Sequence, residues 1–165
     1  MNYHGRQRAT RDVDFFLVED PERLQPVYDA LKQHGVMQHS YERPSFMPPD
    51  AEFWWSPLQY GLPDAAPVDV DLLVASSEYV AFIHATGIET KINGVRVRVA
   101  SYEAMLVLKM KAYRDQDKAD LQGLLRLQKP YDRELVLAWL KKFKIEHRLA
   151  EMEALANANG GRRIG

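Results

Sequence analysis

Two aspartate pairs, Asp12/Asp14 and Asp69/Asp71, share the spacing Asp-x-Asp, and each opens into an apolar, β-prone run, Val13–Val18 and Leu72–Ala75. On a strand, residues two apart project to the same face, so each pair presents two carboxylates together. Like charges about 4 Å apart repel by about 4 kcal/mol at an effective dielectric of about 20. Such a pair persists when one acid is protonated, when both face water, or when a cation lies between them. Either pair alone is a common dipeptide pattern, better explained as a device that keeps an edge strand soluble. Two copies, each at the head of an apolar strand, point instead to an oxygen-rich site for a hard divalent ion. If the two strands are neighbours, a third carboxylate completes that site. Mg2+ fits, because it takes one or two carboxylates together with water and substrate phosphates. Two such ions about 4 Å apart would activate an attacking oxygen and stabilise a leaving pyrophosphate.

A second set lies further along. Lys109 interrupts the apolar stretch of Leu106 and Met110, and Lys118 and Asp120 fall where one helix gives way to the next. A lysine in that position either snorkels to water or reaches a triphosphate as a point charge. The helix start near Lys118 suits an anion. Ahead of the first acid pair, His4, Arg6, Arg8 and Arg11 form a basic lead-in, which reads either as a solvated arm or as a source of phosphate contacts. Trp54 and Trp55 are read as packing residues, with base stacking as the alternative. The five histidines have no ligand spacing. The sequence also lacks a Gly-x-Ser-x-Gly elbow, a phosphate-cradling Gly-x-x-x-x-Gly-Lys loop and a dinucleotide fingerprint.

The elements that must position these residues follow from periodicity. A strand over Val13–Val18 is followed by a helix that starts at Asp20-Pro21, carries Leu24, Val27, Tyr28 and Leu31 on one face, and stops at Gly35. A strand over Val36–Tyr41 precedes a proline- and aromatic-rich stretch, Arg43–Pro67, with a short strand near Glu52–Trp55. Val68–Ala75 repeats the opening pattern. Gly87–Ala100 reads as a hairpin turning on Asn93-Gly94, with Lys91, Arg96 and Arg98 on its outer face. Ser101 caps a helix through Tyr113. After a charged break at 114–118, helices follow over Ala119–Leu127, Glu134–Phe143 and Ile145–Ala156. The expected fold class is α+β, a mixed-direction sheet followed by a helical bundle. The expected division is a core over residues 1–100, a helical region of the same domain over 101–157, and a flexible tail over 158–165.

Composition narrows the function classes. The chain has 165 residues, is 46% hydrophobic and 27% charged, and has a net charge of −1 and no cysteine. That supports a folded globule without disulfides or thiolate metal sites. It supplies no global attraction to polyanions, so any such partner needs a local basic patch. No apolar run reaches the roughly 18 residues that span a bilayer, and the polar start is unlike a signal peptide. The expectation is a cytoplasmic protein without membrane association.

With these residues in hand, the chain resembles the polymerase-β-like nucleotidyltransferase superfamily, in its AbiEii-type branch. Several members of that branch are toxins of toxin–antitoxin or phage-defence systems. The matching text is His4-Gly5-x-x-Arg8-x-Thr10-x-Asp12-x-Asp14, then Asp71-Leu72-Leu73, Leu106-x-x-Lys109-x-x-Ala112-x-Arg114 and Asp117-Lys118-x-Asp120-Leu121. The likeness extends over nearly the whole chain, including the closing helices around Trp139 to Leu149. It implies Mg-dependent transfer of a nucleoside monophosphate from a nucleoside triphosphate to a hydroxyl of RNA, protein or a small molecule. Asp12 and Asp14 would hold two Mg2+ ions, and Asp71, with Asp69 as fallback, would be the acid nearest the attacking hydroxyl. Arg8 and Thr10 would lie near the phosphates, and Lys109, Lys118 and Asp120 would serve nucleotide binding. A cognate antitoxin is an implied partner. One feature departs from the pattern: Met1–Gly5 looks like the end of the family's first helix, so the Gly-Gly turn and the strand before it would lie upstream of Met1. If Met1 is the true start, those backbone donors are missing, triphosphate binding is expected to be weaker and the exposed sheet edge favours a homodimer; a start further upstream would explain the gap just as well. The same departure keeps a second expectation in view, a non-catalytic binding or regulatory module that retains the fold.

Overall fold

The computed structural model describes residue 4 and residues 12–38, 54–61, 66–75 and 77–160. The fold is α+β, and it falls into two compact units, one over residues 9–85 and one over 86–165 together with the N-terminal residues around His4.

In the first unit the alternating acid/apolar runs form strands as their period requires. β1 (Asp12–Val18) pairs in parallel with β4 (Val68–Ala75). β4 also pairs antiparallel with β3 (Trp54–Tyr60), and β3 with β2 (Val36–Gln38), giving the order β1-β4-β3-β2. β3 is longer and later than the short strand expected near Glu52–Trp55, and it contains Pro57. That residue stands one place past the Gln38–Leu58 pairing. The helix expected from Pro21 resolves into a 3-10 turn, Pro21–Arg23, and α1 (Gln25–Gln33). The reason is Pro26: deep inside one longer helix it would break the hydrogen-bond ladder, whereas in the first turn of α1 its lost N–H is harmless. Asp20 caps the 3-10 turn by accepting the Glu22 N–H at 3.0 Å.

The larger core cluster lies on one face of the sheet, while Leu73 and Ala75 are buried on the other. Leu24, Leu58, Val70, Leu72 and Val74 are buried together, with Leu17, Val27, Tyr28, Leu31, Val36 and Trp54 packed against them. The Tyr28 hydroxyl donates to Ser56 Oγ at 3.1 Å across this face. Alternation then assigns Asp14, Asp69, Asp71, Leu73, Trp55, Pro57 and Gln59 to the opposite face. α2 (Glu78–Thr86), which the sequence reading missed, buries Tyr79, Val80 and Ile83 and is capped by Ser77 Oγ, accepting the Val80 N–H at 3.2 Å.

The second unit begins with the expected hairpin, β5 (Ile88–Ile92) and β6 (Val95–Val99). Its turn has φ of 49° at Asn93 and 83° at Gly94, the left-handed pair that a tight hairpin requires. α3 (Tyr102–Ala112) starts where Ser101 Oγ accepts the Ala104 N–H at 3.1 Å. The charged break is shorter than expected, because α4 (Asp115–Arg126) already begins at Asp115. Asp115 and Asp117 in its first turn complement the positive end of the helix. α5 (Arg133–Lys142) and α6 (His147–Gly160) complete the unit, α3 packing on α4 and α5, and α4 on α6. The buried face of α5 is Val136, Trp139 and Leu140, while Leu135 and Leu137 are half-buried and Ala138 is exposed. His4, read from sequence as surface or filling, is buried, with Nε2 donating to the Ala100 carbonyl at 2.8 Å. Among the described residues no helix is long and apolar enough to cross a membrane.

Candidate active site

The parallel pairing of β1 with β4 sets Asp12 opposite Asp69 and Asp14 opposite Asp71. In-register neighbours of a parallel pair share a face, so the four positions form a two-by-two block, about 4.8 Å across the strands and about 6.6 Å along them. Asp14 and Asp69 are exposed and Asp71 is half-buried. Asp69 Oδ1 accepts a hydrogen bond of 3.0 Å from Gln59 Nε2, its cross-strand partner on β3. The next row along the same face is Phe16, Leu73 and Trp55. Trp54 points to the core face and packs there, as expected of a packing residue, whereas Trp55 is 42% exposed. The side chain of Asp12, and Arg8 and Thr10 entirely, lie outside the described residues. Among the described residues no group of three or more His, Asp or Glu side chains is assembled closely enough to hold a metal ion.

Lys109, Lys118 and Asp120 belong to the second unit. Lys109 Nζ donates to Asp117 Oδ1 at 2.9 Å and contacts Asp120 Oδ2 at 3.1 Å, and both carboxylates are almost fully buried. Asp117 also accepts from Arg114 Nε at 2.7 Å and from the Arg114 backbone N–H at 3.2 Å. Burial pushes the Asp117 carboxyl upward, but the hydrogen bonds from Arg114 and Lys109 outweigh it and hold the group below its ordinary value. The set is thus two buried acids matched by two cations, tying α3 to α4, with Lys109 clamped between the carboxylates. Lys118 is placed apart from this clamp, 3.6 Å from Asp115 and 4.8 Å over the Tyr113 ring. The sequence reading missed Asp117 as a member. The signal was present, since Asp117 and Asp120 are three apart and share one face of α4. Gln59 was missed because nothing local marks a glutamine that will meet an acid across a strand pair.

Residues 81–155 match the model of a family described as a nucleotidyl transferase of unknown function (DUF2204). The match runs from within α2 through the hairpin and the helices, so it includes Lys109, Asp117, Lys118 and Asp120; all four acids of the sheet lie before it. It spans less than half of the 165-residue chain. No curated protein matches the sequence. Over its hairpin and helical half, the chain is similar to nucleotidyltransferases.

Proposed function

We propose that this protein transfers a nucleoside monophosphate from a nucleoside triphosphate to a hydroxyl acceptor, using Mg2+ held by Asp12, Asp14 and Asp71. The observation that carries the reading is the parallel register that sets Asp14 beside Asp71, and Asp12 beside Asp69, on one face of the sheet. The similarity of residues 81–155 to a nucleotidyltransferase family supports it independently. The donor set suits Mg2+, being all oxygen, few in number and open to water and phosphate on the exposed side. When bound, the metal supplies charge neutralisation at the phosphates and lowers the cost of ionising the attacking hydroxyl.

The remaining steps belong to the chain. Asp71, half-buried and nearest the centre of the sheet, takes the proton of the attacking hydroxyl on a carboxylate oxygen. The hydroxyl oxygen bonds to the α-phosphorus in line with the bond to the β-phosphate, which breaks and releases pyrophosphate. Gln59 holds Asp69 in place, leaving Asp71 as the third acid and Asp69 as its fallback. Thr10, just ahead of β1 in sequence, is assigned to phosphate binding. The finer likeness of the His4–Asp14 text and the helices supports an AbiEii-type toxin countered by an antitoxin in the cytoplasm. A homodimer is supported by β1, an edge strand among the described residues that exposes Val13 and Phe15. The test is transfer of label from an α-labelled nucleoside triphosphate in Mg2+. Wild type is expected to release pyrophosphate, and Asp14→Ala to lose at least about a hundredfold in rate, the scale of lost transition-state charge stabilisation. Equal behaviour of the two proteins rejects the reading.

A second reading has its own observation. Lys109 is engaged by two buried carboxylates, so the lysine that resembles a nucleotide-handling residue also serves as a structural clamp. A non-catalytic module that keeps the fold would need that clamp and not the acids of the sheet.

A further inference from the structure

We infer that Trp55 is the stacking platform for the base of the nucleotide. The inference deepens the proposed transferase reading and rests on it. Adjacent in sequence, Trp54 and Trp55 are separated by the pleat of β3: Trp54 packs into the core, and Trp55 emerges on the face that carries the acids. There its cross-strand partner is Leu73, while Pro57, two residues along β3, faces Asp71. Trp55 is therefore the diagonal neighbour of Asp71, about 7–8 Å away between backbones, a separation that aromatic side chains bridge. Trp55 keeps 42% of its surface exposed one row from a proposed phosphate-handling acid. No ring or cation partner accompanies it among the described residues. A nucleotide whose phosphates lie over the Asp14–Asp71 row would extend its base toward Trp55, the exposed end of a row whose middle residue, Leu73, is buried. The occupant with a flat apolar end and an anionic, metal-binding end is a nucleoside triphosphate. Purines, having the larger π-face, should bind more tightly than pyrimidines.

The test compares ATP with inorganic tripolyphosphate, which offers the same phosphates and no base, by calorimetry in Mg2+ on the full chain. Trp55→Ala is expected to weaken ATP binding by about tenfold while leaving tripolyphosphate binding within about twofold of wild type. Trp55→Phe should recover most of the ATP affinity, and ATP should quench indole fluorescence in wild type more than in Trp55→Phe, where Trp54 and Trp139 remain. Thermal melting of both variants confirms that the sheet is intact; should the alanine variant melt early, Trp55→Leu replaces it, keeping the apolar bulk without the π-face. The inference is overturned if ATP binds the alanine or leucine variant as wild type does, or if ATP and tripolyphosphate weaken together. Failure of wild type to bind even tripolyphosphate overturns the transferase reading itself, whereas normal tripolyphosphate binding with no contribution from Trp55 overturns only the stacking.

Discussion

Lys109 clamps two buried acids, and a single substitution separates that role from the nucleotide handling its resemblance implies. As a clamp, it neutralises Asp117 and Asp120, both almost fully buried, at 2.9 and 3.1 Å. Removing one partner of a buried ion pair strands the other's charge, which costs more than the pair ever contributed. Lys109→Met is expected to destabilise the fold by about 3 kcal/mol, the low end for such a loss because Arg114 still bonds Asp117. Chemical denaturation measures this; an unchanged midpoint with abolished nucleotide binding would instead make Lys109 a phosphate ligand. At this scale the sequence was legible where chemistry repeats with a period. The two Asp-x-Asp pairs announced themselves because alternation on a strand forces both acids to one face. Asp117 carried a weaker signal, its three-residue spacing from Asp120 on one face of α4, and its partner, the lysine eight residues earlier, emerges only when the helices fold back on each other. Trp54 and Trp55 could not be told apart either, since their opposite roles depend on which face of β3 meets α1.

The hairpin shows what an element can specify locally and what it leaves exposed. Asn93-Gly94 dictated the turn, and the period of two placed Lys91, Arg96 and Arg98 outward, where all three are exposed. Pairing then matches Glu89 with Arg98, bridged at 2.7 Å, but sets Lys91 directly opposite Arg96. Like charges facing each other across a strand pair are unfavourable. Lys91→Glu converts that repulsion into a cross-strand attraction and should raise the melting temperature by roughly 1–3 °C at low salt. The gain should shrink as salt is added, because exposed charges are screened. A melting temperature that falls, or a gain indifferent to salt, contradicts the register. Elements with a strong local signal, β1, β4, the hairpin and α3, were read to within a few residues. α2 was missed, although Tyr79, Val80 and Ile83 have helical spacing, because nine residues between two strands supply little periodicity. The split between the 3-10 turn and α1 turned on Pro26, whose demand for a first-turn position outweighed a continuous apolar stripe.

At the scale of the molecule, proton linkage joins features far apart in sequence. Burial lowers the His4 imidazole below its ordinary 6.5, so the folded state resists a proton that the unfolded chain accepts; stability falls as pH drops below about 6.5. Glu153 is held below its ordinary 4.5 chiefly by hydrogen bonds from Arg133, and Asp117 is held below 3.8. Their contributions are complete above those values and are lost as pH falls through the lower folded-state values. Stability should therefore decline in two stages, a shallow one beginning near pH 6.5 and a steeper one below about pH 4.5; His4→Gln should remove only the first. A single acid transition in both proteins contradicts this assignment. The hairpin, which the sequence groups with the front strands, lies in the unit that holds α3–α6. What the whole account depends on is that acids from β1 and β4 serve one divalent ion together. Mn2+, followed by paramagnetic resonance as a stand-in for Mg2+, tests that most directly. The account predicts that wild type binds the ion, and that Asp14→Asn and Asp71→Asn each weaken binding by at least about tenfold, the scale of one lost carboxylate ligand, while the double variant is little worse than either. Wild-type affinity in both single variants would contradict it.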